Sequence, residues 1–160
     1  MFSIGDKILY PMYGAGIIES IEEKEVLGEK KKYYIMKIPI DNMRVMIPMD
    51  LIHDFGIRRI IGYNEFGNVI NIFKQSGDIQ TDSWSKRYRY NMDKIKKGDI
   101  YEVAEVVKDF MIKERKKGLS PGEKKILENA ERILYSELIL STGMTLDEIK
   151  KLVLDAIDKS

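Results

Sequence analysis

Two hydrophobic periods that no single kind of element satisfies share this 160-residue chain, and they change over near His53. Before that point apolar residues come in short, β-branched and aromatic runs with partial alternation: Lys7 to Tyr10, Ile17 to Glu22, Tyr33 to Ile38 and Met43 to Ile47. Turn signals separate them, at Pro11 and Gly14-Ala15-Gly16, in a charged hairpin around Gly28, and at Asp41-Asn42. Pro48 has no amide to donate to a ladder, so it ends the last run or marks a sheet edge. Beyond His53 the spacing becomes that of helices, in pieces divided by Gly56, Gly62 and Gly67. A turn is expected at Ile57 to Ile61, a helix near Val69 to Phe73, and a polar loop from Gln75 to Asp82.

Helix signals are denser after the loop. Asp82 or Ser83 can cap a helix that runs to Lys97 and stops at Gly98, with Tyr88, Met92 and Ile95 as its apolar stripe. Ile100, Val103, Val107, Phe110 and Met111 make a second stripe, ending in cations and Gly118. Ser120-Pro121-Gly122-Glu123 is a complete start signal, with a serine cap, a proline in the first helical position and a glutamate in the third. Thr145-Leu146-Asp147-Glu148 repeats the box before the last stripe. The fold class expected is α+β in two domains: residues 1–54 as a small SH3/Tudor-like bent β-barrel, and residues 55–160 as an all-α compact helical bundle.

Composition narrows the chemistry. There is no cysteine, hence no disulfide and no thiolate site, and one histidine, which rules out a two-histidine metal site. His53 reads as a surface or hinge residue and Gly14-Ala15-Gly16 as a tight turn, since no helix follows it to supply a phosphate-binding dipole. Asp41 and Glu123 lie in a turn and in a capping box, which leaves little for an enzyme reading. No cofactor, metal or catalytic residue is expected. No apolar run approaches the roughly 20 residues of a membrane span, and no signal peptide is apparent, so a cytoplasmic protein without membrane contact is expected.

Charge is almost balanced overall, at +1, but Trp84 to Lys97 carries six basic residues against Asp93 alone. A local cationic patch of this kind suits a polyanion. Lys113 to Lys117, in contrast, occupies a helix end where cations complement the backbone dipole, and reads first as a solvated terminus. Trp84 admits two readings. It can be an apolar wedge for a DNA groove, with Lys86, Arg87, Arg89 and Lys94 holding phosphates. It is also four residues before Tyr88, in register with a core stripe, and a tryptophan so placed is more often buried.

Four stretches together resemble the CarD/CdnL family of bacterial RNA polymerase-binding transcription regulators. They are Phe2-x-x-Gly5-Asp6-x-x-x-Tyr10-Pro11-x-x-Gly14, Ile47-Pro48, Trp84-Ser85-x-Arg87-Tyr88 and Gly118-Leu119-Ser120-x-Gly122-Glu123-Lys124. The first is also similar to the polymerase-interaction domain of transcription-repair coupling factor, whose helicase motor motifs do not occur here. The resemblance implies that a Tudor-like domain adds its strand Met43-Arg44-Val45-Met46-Ile47-Pro48 to the RNA polymerase β subunit, with Lys24 as a further contact. It implies that Trp84 wedges into promoter DNA at the upstream edge of the bubble and stabilises the open complex. The family often has a basic residue where this chain has Met46, and Arg44 lies on the same face of the strand. Weak, nonspecific DNA binding by the free protein follows from so few cations, and a monomer is expected, with the β edge as the place where a dimer would form. The competing reading is a polymerase accessory module whose helical half contacts protein and whose Trp84 is core.

Overall fold

A computed structural model of the chain describes residues 1–75 and 84–159, leaving aside the side chain of Trp84. Five antiparallel strands come first: β1 (Lys7–Tyr10), β2 (Gly14–Val26), β3 (Glu29–Ile38), β4 (Met43–Pro48) and β5 (Arg58–Arg59), in the order β4-β3-β2-β1-β5. The turn chemistry explains the meander. At the β2–β3 hairpin both central residues, Leu27 and Gly28, have positive φ (54° and 79°), the twist that lets strands continue without splaying. A bulge between Ile18 and Ser20 breaks the β2 register and bends the sheet. Ile8, Ile18, Tyr34, Met36, Ile38 and Ile47 form its buried cluster, and the Tyr34 hydroxyl donates to the Phe2 carbonyl at 3.0 Å. Gly16 is required by close approach, since a Cβ there would lie 2.5 Å from the Lys37 carbonyl oxygen.

Where the sequence suggests a turn over Ile57 to Ile61, the chain forms β5, with Arg58 opposite Leu9 and Arg59 opposite Ile8. Two successive arginines carry no alternating apolar signal. The strand is held by what those arginines reach: Arg59 pairs with Asp6 at 3.3 Å and stacks over the Phe2 ring. The sheet therefore continues past residue 54.

Among the described residues five helices follow: α1 (Phe66–Lys74), α2 (Trp84–Lys97), α3 (Ile100–Lys116), α4 (Pro121–Thr142) and α5 (Leu146–Asp158). Both expected capping boxes form, with Ser120 accepting from the Glu123 amide and Thr145 from the Glu148 amide. Asp99 caps α3 by accepting from the Tyr101 amide at 2.8 Å. The caps expected at Asp82 or Ser83, and all of the expected loop after Gln75, lie outside the described residues.

The helices do not form a core of their own. Leu9 and Ala15 of the sheet belong to the same buried cluster as Val103, Val107, Ile133 and Leu134. One face of α4 meets the sheet: the Arg132 guanidinium donates to the Tyr13 carbonyl at 3.0 Å and pairs with Asp41 at 2.9 Å, and the buried Ser136 hydroxyl accepts from the Ala15 amide at 2.8 Å. Glu137, next on that face, is buried against Arg58 at 2.7 Å. Removing the Ser136 hydroxyl leaves the Ala15 amide without its partner. Ser136→Ala is expected to cost about 1 to 3 kcal/mol, lowering the melting temperature by roughly 2 to 12 °C. Ser141→Ala, which removes only a bond to the helix's own Leu138 carbonyl, is the control in the same calorimetric scan.

Candidate nucleic-acid and protein interfaces

Helix α2 carries all four of the cations predicted to touch DNA, Lys86, Arg87, Arg89 and Lys94. Among its described residues Asn91 and Ile95 are buried, and it packs on α3. Ser85, Lys86, Arg89 and Tyr90 are exposed, and Arg87 is half-buried. Tyr88, expected in the apolar stripe, is 42% exposed instead, so the buried part of the helix begins near Met92. Ser85, Tyr88, Arg89, Met92, Asp93 and Lys96 line a shallow groove along the helix. Trp84 is the first residue of α2, and its side chain lies outside the described residues.

Lys94 stands apart from the other predicted DNA contacts. Its ammonium donates to Glu105 of α3 at 2.6 Å and lies 4.5 Å from the centre of the Tyr90 ring, with only 11% of the side chain exposed. Burial draws its pKa down, but the bonds to Glu105 and Tyr90 outweigh that and hold it above the ordinary lysine value. Lys94 thus fastens α2 to α3, and the exposed basic face consists of Lys86, Arg89, Lys96 and Lys97 with the half-buried Arg87.

Strand β4 takes the edge of the sheet, as Pro48 suggests, and opposes β3 on one side only. Its side chains alternate. Arg44 and Met46 are exposed, Met43, Val45 and Pro48 are half-buried, and Ile47 is fully buried in the sheet core. The Ile47 side chain therefore faces away from any partner, and main-chain groups with Arg44 and Met46 make the accessible edge. Arg44 pairs with Glu19 at 2.9 Å. The Arg132 guanidinium lies 3.4 Å from the Met43 sulfur, which ties the start of the strand to α4. Lys24 is exposed on the β2–β3 ribbon, directly across from Lys31. Like charges in that position repel, so the ribbon offers a cationic spot that an acidic surface would relieve.

Sequence models of two families cover the chain: the CarD-like/TRCF RID domain matches residues 2–61, and the CarD C-terminal domain matches residues 68–154. The chain belongs to the CarD-like transcription factor family. One relative, "Putative transcription factor YdeB" of Bacillus subtilis (strain 168), is 47% identical over 150 residues, which is 94% of this chain and 98% of that one. Among solved structures, the solution NMR structure of the 72-residue N-terminal domain of Myxococcus xanthus CarD is 30% identical, covers 37% of this chain and 79% of its own, and aligns with a TM-score of 0.33. The two family segments leave β5 with the sheet and α1 with the helices.

Sequence reasoning passed over the charged groups between α2 and α3, because they sit on helix faces that read as solvated. Asp109, one turn beyond Glu105, has its pKa raised by burial, an effect that Lys108 and Lys94 offset only in part. A carboxyl whose folded pKa exceeds its unfolded value destabilises the fold while ionised, and the penalty vanishes as pH falls below the ordinary value of 3.8. Asp109→Asn is accordingly expected to raise the melting temperature at pH 7 and to match the parent protein near pH 3.5, as measured by thermal circular dichroism.

Proposed function

We propose that this CarD-family protein binds the β subunit of RNA polymerase through the β4 edge and promoter DNA at the upstream edge of the bubble through α2, stabilising the open complex. The observation that carries the proposal is the coexistence, in one packed unit, of an unpaired strand edge and an exposed cationic helix on separate elements. An edge strand recruits a partner strand by main-chain hydrogen bonds, and Arg44, Met46 and Lys24 would supply specificity. The helix offers Lys86, Arg87 and Arg89 to phosphates, with Trp84 as the wedge one turn before the exposed Tyr88.

The mechanism is differential binding without covalent chemistry. A wedge that contacts distorted or opened duplex better than closed duplex shifts the promoter toward the open state by its differential affinity. One such contact is worth about 1 to 3 kcal/mol, or roughly five- to a hundredfold in the equilibrium. Alone, a handful of cations gives only salt-sensitive, nonspecific attraction, and docking on polymerase supplies the missing effective concentration.

Promoter opening followed by a fluorescent base analogue in the melted region tests the reading. The parent protein is expected to raise the open fraction with cognate polymerase. Trp84→Ala, shown by circular dichroism to be folded and by pull-down to keep the β subunit, is expected to lose at least five-sixths of that gain. A folded Trp84→Ala protein that opens the promoter as well as the parent would sink the wedge. Met46→Glu, which puts an acid on the edge without touching the core, is expected to weaken β-subunit binding at least tenfold in titration calorimetry while leaving the salt-dependent DNA affinity of the free protein unchanged.

A further inference from the structure

The contact between Arg58 and Glu137 has more partners than a strand-to-helix ion pair needs. Glu137 is fully buried on α4. Its two carboxylate oxygens accept from the two terminal nitrogens of Arg58 at 2.7 and 2.8 Å, and one of them accepts from the Ile61 amide at 2.8 Å. The same guanidinium donates to the Gly98 carbonyl from Nε (3.2 Å) and from a terminal nitrogen (2.7 Å), and to the Arg59 carbonyl at 2.9 Å. All five guanidinium donors are thereby used.

Those acceptors belong to three different parts of the molecule. Arg59 is in β5, at the end of the sheet opposite β4. Glu137 is in α4, the helix on which the sheet rests. Gly98 closes α2, and a Cβ there would lie 2.9 Å from the Pro11 ring, so the end of α2 sits against the β1–β2 turn. One planar group therefore fixes the end of α2 to the sheet and to α4 together. Buried ion pairs add little net stability over apolar groups of like volume, and their best-attested use is to select one arrangement among several. A lysine, with a single nitrogen, has no planar fork to do the same.

We propose that Arg58 and Glu137 are positioning residues that set the orientation of α2 relative to the β4 edge, so that a protein held by one edge presents the other surface to DNA at a fixed angle. This inference rests on the function proposed above. The pair touches neither surface, and its effect is on their relation.

The chain has no cysteine, so nitroxide labels can be placed at two chosen sites: Asp50→Cys, beside β4, and Lys96→Cys, on α2. The test variant is Arg58→Met/Glu137→Gln, which buries no unpaired charge and keeps an acceptor for the Ile61 amide. Pulsed electron resonance on the parent is expected to give one narrow distance distribution, and on the variant a distribution at least twice as wide. Unlabelled protein carrying the same pair of substitutions is expected to bind the β subunit within twofold of the parent yet to lose at least four-fifths of the gain in open promoter. A folded variant with the parental distance width, or with a broadened distance and full promoter opening, overturns the inference. Were the pair merely stabilising, its loss would lower the melting temperature and leave the distribution narrow. Should circular dichroism show the double variant unfolded, Arg58→Lys, which keeps the charge without the fork, takes its place: a widened distribution with loss of promoter opening supports the inference, and a parental width overturns it. If the parent itself leaves promoter opening unchanged, the proposed function fails, and the distance measurement still decides whether the pair fixes the orientation.

Discussion

The Ala15 amide donates to the Ser136 hydroxyl inside a core that neither half of the chain completes alone. Strands and helices are each regular without it, but the sheet leaves Leu9 and Ala15 uncovered at one end, and α4 presents a face that mixes Ser136 and Glu137 with Ile133 and Leu134. Apolar burial supplies the attraction and has no direction. The polar groups supply the direction, because each of Arg132, Ser136 and Glu137 is satisfied at one relative position of the two layers. Burying such groups unpaired would be costly, so positions that break these bonds are disfavoured.

That arrangement sorts the charges of α2. Among the cations near the end of the helix, Lys94 faces α3 and is neutralised by Glu105, while Lys96 and Lys97 are exposed, Lys97 at 3.7 Å from Glu102. Those nearer its start are exposed or half-buried. The edge strand is treated in a similar way. Arg44 with its Glu19 partner and the imino acid Pro48 make β4 less inviting to a second copy of itself, which is how natural sheets guard an open edge. The same features leave main-chain groups available to a partner able to displace an exposed ion pair worth little.

Much of this was legible in the chain itself, for physical reasons. Four strands, five helices and both capping boxes announce themselves through local chemistry, and Pro48 signals an edge strand because it lacks a donor. The resemblance in Phe2 to Gly14, Trp84 to Tyr88 and Gly118 to Lys124 led to the family that comparison establishes. What the sequence withheld is tertiary. Nothing local marks Arg58-Arg59 as a strand, since its partners Asp6, Phe2 and Glu137 are distant. Tyr88 falls in a helical stripe by spacing, yet α2 packs against α3 mainly beyond it, and Lys94 looks like any surface lysine until Glu105 comes up opposite. The basic residues of α2 were found by composition, whereas their separation into internal and outward groups needed the packing of a second helix.

The bond between Ala15 and Ser136 joins positions 121 residues apart. Strands β1 to β4 are a run of neighbouring hairpins that can pair as soon as they leave the ribosome, whereas the helix that covers the open end of the sheet is made much later. At translation rates of about 5 to 20 residues per second, the interval is roughly 6 to 24 s, far longer than the microseconds a hairpin takes to form. During synthesis the nascent sheet waits with Leu9 and Ala15 bare, and the unpaired β4 edge is at that stage a further surface that a neighbouring nascent chain can meet.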